Sequence, residues 1–260
     1  NGVSRDGKRV TNITPGNFDV VSVAAVDESG GFLYYIASPD NATQRYLYRT
    51  KLNGKGSAER VSPAAQAGTH AYRISPDARW AFHTYSHFSN PSVIDLVQLP
   101  AHRVVRTLVD NARQRAAVAP FIKGQSEFFR VTVSDGVVLD GWMIKPANFD
   151  STRSYPLLMY VYGEPAGMTA QDSWGGGHLW ERTIADQGYI VATVDNRGTP
   201  APRGRAWRKV VYGAVGILSS KEQADAVKAL TGSRHYLDPT RVAIWGWSGG
   251  GSCTLQGMVR

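Results

Sequence analysis

The sequence predicts two successive folds, an all-β front half followed by an α/β back half with a mostly parallel sheet, the change falling between residues 111 and 125. Three observations predict it. In the front half, short β-branched or aromatic runs recur at regular spacing with turn signals between them. In the back half, strand-sized apolar runs alternate with helical patterns, as in a parallel sheet covered on both faces. The last of those runs leads directly into Gly246-Trp247-Ser248-Gly249-Gly250, a serine bracketed by glycines where a strand should give way to a helix.

In the front half the expected strands are Val20 to Ala25, Phe32 to Ala37, Tyr46 to Leu52, Ala71 to Ile74, Trp80 to Tyr85, Ser92 to Val97 and Val104 to Leu108. Turns at Ser29-Gly30-Gly31, Asn53-Gly54 and Ser75-Pro76-Asp77-Ala78 punctuate them, the last with proline at the second turn position. Regular short strands of this kind fit a sandwich, a barrel or propeller blades.

The back half opens with a hairpin whose arms, Phe128 to Val133 and Val137 to Lys145, flank Ser134-Asp135-Gly136. A buried strand ending at Tyr162 follows, then a helix from Leu179 to Gln187 stopped by Gly188, and a second buried strand from Tyr189 to Asp195. After a Gly/Pro/Arg loop a helix is expected over about 220–230, with Ser219 and Glu222 in the spacing of a capping box. The final strand is Arg241 to Trp245.

Composition narrows the function classes. The net charge is +8, with 14 basic against 9 acidic residues up to position 115 and 15 against 12 beyond it, so both halves are mildly basic. The one basic cluster, Arg203, Arg205, Arg208 and Lys209, has no zinc-finger spacing or basic heptads beside it and reads as a solvated face, so no nucleic-acid partner is expected. Cys253 stands alone, which excludes an internal disulfide, and it reads as a small buried hydrophobe. No apolar run approaches the ~20 residues of a membrane helix. No cofactor or metal is expected, since Gly175-Gly176-Gly177 lacks the Lys-Ser/Thr of a phosphate loop and no metal-spaced set of His, Cys and Asp appears.

The chemistry concentrates at Ser248. The form G-x-S-x-G between strand and helix is a nucleophile elbow, where a sharp turn lifts the serine hydroxyl above the sheet edge. Positions two before and two after the serine must be small for the chains to pass. Gly249 can then offer its backbone N–H to an oxyanion, beside the positive end of the following helix. A serine of this kind needs a histidine to take its proton and a carboxylate to orient that histidine, and in this fold both follow it in the chain. Twelve residues follow Ser248, none of them His, Asp or Glu, and all six histidines precede it. His178 and His235 read as surface or capping residues, so the chain as given is expected to lack a complete triad and to be inactive alone.

These residues resemble the prolyl oligopeptidase family and, within it, the dipeptidyl peptidase IV branch. Thr11-Asn12-Ile13-Thr14-Pro15-Gly16-Asn17-Phe18-Asp19-Val20, Leu33-Tyr34-Tyr35-Ile36 and Ser75-Pro76-Asp77 are similar to the closing part of that branch's propeller. Tyr155-Pro156-Leu157-Leu158 leading to Tyr160-Val161-Tyr162-Gly163-Glu164-Pro165 resembles the segment that carries the family's oxyanion tyrosine, which places that role at Tyr162. Val194-Asp195-Asn196-Arg197-Gly198, the helix holding Gln223, and Ala243-Ile244-Trp245-Gly246-Trp247-Ser248 complete the match.

The resemblance implies an all-β propeller fragment followed by a partial α/β-hydrolase fold: residues 1–115 as C-terminal propeller blades, and residues 116–260 as the N-terminal half of a catalytic domain, cut after the elbow. It implies a serine peptidase working through an acyl-enzyme on peptides with a free N-terminus and releasing X-Pro or X-Ala dipeptides, with Ser248, Tyr162 and Gly249 catalytic and Trp247 lining the substrate site. It also implies a homodimer when full length, and a periplasmic or extracellular, membrane-anchored setting. Many relatives have tyrosines where Gly249 and Ser252 stand, and the branch's paired glutamates for the substrate amine have no counterpart here. An acylaminoacyl peptidase or oligopeptidase of the same family, a plain esterase, and a non-catalytic interaction module are the alternatives.

Overall fold

The structure, a computed structural model, describes residues 1–259. It divides into two compact units: residues 1–115 with 172–175 and 202–204, and residues 116–171 with 176–201 and 205–260.

The first unit is all β. A short pair, β1 (Gly2–Val3) and β2 (Val10–Thr11), precedes two four-stranded antiparallel sheets. One runs β3 (Val20–Asp27), β4 (Phe32–Ala37), β5 (Tyr46–Lys51) and β6 (Glu59–Arg60); the other runs β7 (Thr69–Ile74), β8 (Trp80–His87), β9 (Asn90–Gln98) and β10 (Arg103–Val109). Strands adjacent in sequence are adjacent in space, so each sheet is an up-and-down meander of the propeller-blade kind. Ser75-Pro76-Asp77-Ala78 closes β7 onto β8, the Ala78 N–H donating to Ser75 O at 2.9 Å. Tyr34, Ile36, Leu47, Ala81, Val97 and Leu99 form the core.

One polar cluster is buried in the second sheet. His70 on β7 and His83 on β8 are each 1% exposed, with His70 Nδ1 2.9 Å from His83 Nε2 and His70 Nε2 3.0 Å from Gln66 O. A carbonyl only accepts, so His70 donates from Nε2 and, when neutral, accepts at Nδ1 from the His83 Nε2–H. Burial pushes His70 down to about 4 and His83 down to about 3.

The second unit is built on one five-stranded sheet. After α1 (Ala112–Val118), β11 (Ser126–Thr132) and β12 (Val138–Ile144) form the expected hairpin, followed by β13 (Tyr155–Tyr160), α2 (Leu179–Asp186), β14 (Ile190–Asp195), α3 (Arg205–Lys209), α4 (Ile217–Ser233), β15 (Leu237–Trp245) and α5 (Gly249–Gly257). The spatial order is β11-β12-β14-β13-β15, with β14, β13 and β15 mutually parallel and the hairpin added antiparallel to β14. Every residue of β14 is buried, the polar Thr193 and Asp195 included, as befits a strand with neighbours on both sides in a sheet covered by helices. Leu139, Met143, Leu157, Met159, Ile190, Ala226 and Leu230 make up the core, and Cys253 is buried on α5. None of the helices is long and apolar enough to cross a membrane among the described residues.

Three local expectations are corrected. The helix expected over 220–230 begins at Ile217, with Gly216 at its N-cap, so Ser219 and Glu222 lie inside it and form no capping box. Ser219 instead donates to Gly216 O at 3.0 Å, and the buried Glu222 carboxylate accepts from the Arg197 backbone N–H at 2.8 Å and from the Arg197 guanidinium. The Gly/Pro/Arg loop contains a helical turn, α3, which the burial of Trp207 stabilises against its scattered glycines. His178, expected as a surface or capping residue, stands at the N-cap of α2 without a side-chain capping bond and is not at the surface: its ring lies 5.0 Å from that of Trp142, and burial pushes it down to about 4.

Candidate active site

Ser248 occupies the turn between β15 and α5 with φ 55° and ψ −120°, a left-handed backbone that a non-glycine residue adopts only under constraint. The constraint is visible on both sides. A Cβ at Gly246 would overlap the Val161 carbonyl oxygen and stand 2.7 Å from Gly250 C. A Cβ at Gly250 would overlap the same oxygen and stand 3.2 Å from Tyr162 Cα. The two glycines therefore let the elbow press against the end of β13, where the Val161 N–H donates to Trp245 O at 3.0 Å. Ser248 is exposed, and its hydroxyl takes no part in capping α5.

α5 starts at Gly249, whose N–H is among those that helix geometry leaves without an intrahelical acceptor. Tyr162 lies one residue past Val161 and is half-buried, with its ring under the loop that follows: a Cβ at Gly167 would meet the ring at 3.2 Å. Trp247 is 83% exposed and so is not part of the elbow's packing. Ser248, Gly249 and Tyr162 are thus carried by neighbouring segments of one sheet edge.

A buried polar network fixes the loop from Gly163 to Ala170. Asn196 donates from Nδ2 to Gly163 O at 3.1 Å, and its Oδ1 accepts from Gln223 Nε2 at 3.1 Å. Gln223 Nε2 also reaches Val194 O at 2.9 Å. Asp195 accepts the Thr169 and Ala170 backbone N–H groups at 2.9 and 3.0 Å, and Trp142 Nε1 donates to Thr169 O at 2.9 Å. Burial raises Asp195 to about 6 against the pull of those two N–H donors. The resemblance singles out Asp195, Asn196 and Gln223 without a role; only the fold supplies one, because the groups that these side chains hold, backbone and side chain, lie more than twenty residues away along the chain.

Of the six histidines none bonds to Ser248 among the described residues: His235, exposed, faces Ser151 O at 2.8 Å, and His70 and His83 are paired in the first unit.

Residues 2–92 match the dipeptidyl peptidase IV N-terminal region, and residues 178–259 match the prolyl oligopeptidase family. The chain belongs to the prolyl oligopeptidase family, in its dipeptidyl peptidase IV branch. Among the relatives of this family, the "Probable dipeptidyl-aminopeptidase B" of Aspergillus clavatus is 30% identical over 255 residues, 96% of this chain and 27% of that protein. The protein of the same name from Emericella nidulans is 32% identical over 247 residues, again 27% of its length. The crystal structure of Porphyromonas gingivalis dipeptidyl peptidase 4 superposes with a TM-score of 0.89 at 32% identity, covering 99% of this chain and 35% of that one. The chain therefore spans about a quarter of the length of the curated relatives it matches. Within this family the two units are a propeller fragment and a partial α/β-hydrolase fold.

Proposed function

We propose that the full protein is a serine peptidase that cleaves through an acyl-enzyme on Ser248 and releases dipeptides, X-Pro or X-Ala, from free N-termini. The observation that carries the reading is the backbone of Ser248, held at φ 55° between two glycines that have no room for a side chain. That strain has no structural use unless the hydroxyl must stand clear of the sheet. Attack by Ser248 Oγ on the peptide carbonyl would place negative charge on its oxygen, with the Tyr162 hydroxyl and the Gly249 N–H as donors. Trp247, exposed beside the serine, would supply apolar wall for the substrate.

The proton acceptor and its orienting carboxylate are proposed to lie in chain beyond these residues, so residues 1–260 alone would not turn over. The branch's usual peptide substrates, and a homodimer, are proposed on the strength of family membership.

The test uses full-length protein, assayed on a Gly-Pro amide and on a short acyl ester, with Ser248→Ala as control and a fluorophosphonate as an active-serine label. Cleavage of the amide together with labelling at Ser248 supports the peptidase. Hydrolysis of the ester alone supports an esterase, and absence of both supports a non-catalytic module.

A further inference from the structure

Gly249 differs from its neighbours in the elbow. Gly246 and Gly250 are demanded by the Val161 carbonyl, whereas what fills the side-chain space at Gly249 is the side chain of Glu164. A Cβ placed at position 249 would lie 2.6 Å from Glu164 Cδ and 3.0 Å from its Oε1. No left-handed backbone angle imposes glycine at 249, so the absence of a side chain there serves to admit Glu164. The two residues form one unit: a glycine that leaves a space, and a carboxylate that enters it.

The Glu164 carboxylate makes no hydrogen bond or ion pair among the described residues, although the residue is half-buried. It abuts the residue that follows Ser248 and lies two positions beyond Tyr162. A partly desolvated anion without a partner gains from a cation brought to it. A substrate carbonyl that accepts from the Gly249 N–H brings its own residue within one side-chain length of that carboxylate.

We propose that Glu164 is a specificity-determining residue of this centre, selecting peptides in which the residue whose carbonyl is attacked carries a cationic side chain, lysine or arginine. This extends the accepted second residue beyond proline and alanine, and it rests on the reading of Ser248 as the nucleophile. Charge interaction of the carboxylate with the positive end of α5, without a hydrogen bond and with no effect on substrate choice, is the competing role.

The experiment measures kcat/KM of the full-length protein on Gly-Arg and Gly-Pro amides bearing the same reporter, for wild type and Glu164→Gln, with fluorophosphonate labelling of both. The expected result is that the Gly-Arg to Gly-Pro ratio falls about 10-fold in Glu164→Gln, as for loss of one partner of a charge pair at a binding surface. The wild-type ratio is also expected to fall with added salt, a measurement that stands even if the variant does not fold. A ratio unmoved by the substitution or by salt, or a labelled wild type that ignores the Gly-Arg amide, overturns the role of Glu164 and leaves Ser248 in place. Failure of the wild type to label at Ser248 or to cleave either amide brings down the nucleophile reading, and this inference with it.

Discussion

Gly250 lies under the backbone of Val161 so closely that a Cβ on it would stand 3.1 Å from the Val161 carbonyl carbon and overlap its oxygen. The atoms met are backbone of a buried strand end, which cannot swing aside as a flexible side chain can. Gly250→Ala is therefore expected to destabilise the protein by about 1–3 kcal/mol through overpacking. It should also displace Ser248, so labelling by a fluorophosphonate would fall by more than the loss of folded protein measured by chemical denaturation.

Tyr162 tests the oxyanion reading separately from the fold. Tyr162→Phe keeps the ring that packs beneath Gly167 and removes only the hydroxyl. In the full-length protein, on the proposed peptidase activity, kcat is expected to drop by about 10²–10³, the loss typical of one oxyanion donor, with KM and the thermal midpoint little changed. A drop in stability with kcat intact would make the residue a packing element only.

Gln223 is 1% exposed, and its amide serves both Val194 O and Asn196 Oδ1. Gln223→Leu would leave both acceptors buried without this donor, at about 1–3 kcal/mol each. Because Asn196 also holds Gly163 O, the substitution should loosen the segment after Tyr162 and raise its amide exchange rate, which hydrogen exchange by mass spectrometry would report.

The histidine pair in the first unit sets an acid limit. His70 and His83 stay neutral in the folded state down to about 4 and about 3, while an unfolded histidine takes up its proton near pH 6.5. Because the unfolded state then binds more protons, stability falls as pH drops below about 6.5 and goes on falling to the folded-state values. The slope approaches about 1.4 kcal/mol per pH unit for each histidine. His83→Phe should flatten that dependence between pH 6 and 4, as read from denaturation midpoints; an unchanged slope would show that the pair is protonated or solvated in the native protein.

Much of this molecule is written in local pattern. The β-branched runs and their turns placed seven of the eight strands of the two four-stranded sheets to within a few residues, because alternating burial and turn chemistry act over neighbouring positions; the two-residue strand β6 (Glu59–Arg60) carries no such run and was not expected. The same holds for β14, whose mostly apolar run marks it as a buried strand. The elbow was legible too, since the glycines at 246 and 250 and the serine between them form one contiguous motif. The start of α4 was misread because Ser219 and Glu222 match a capping box in spacing alone, and only the bonds from Arg197 show that the buried Glu222 is a tether.

What tertiary structure decided are the relationships between distant segments. The Asn196 bond to Gly163, the Asp195 hold on Thr169 and Ala170, the pairing of His70 with His83, and the lodging of Glu164 against Gly249 join positions that no periodicity links. Local sequence sets the backbone's preferences through sterics and hydrogen bonding over a few residues. Which carboxylate meets which amide depends on how the strands are ordered in the sheet, and that order is settled only when the whole core is packed.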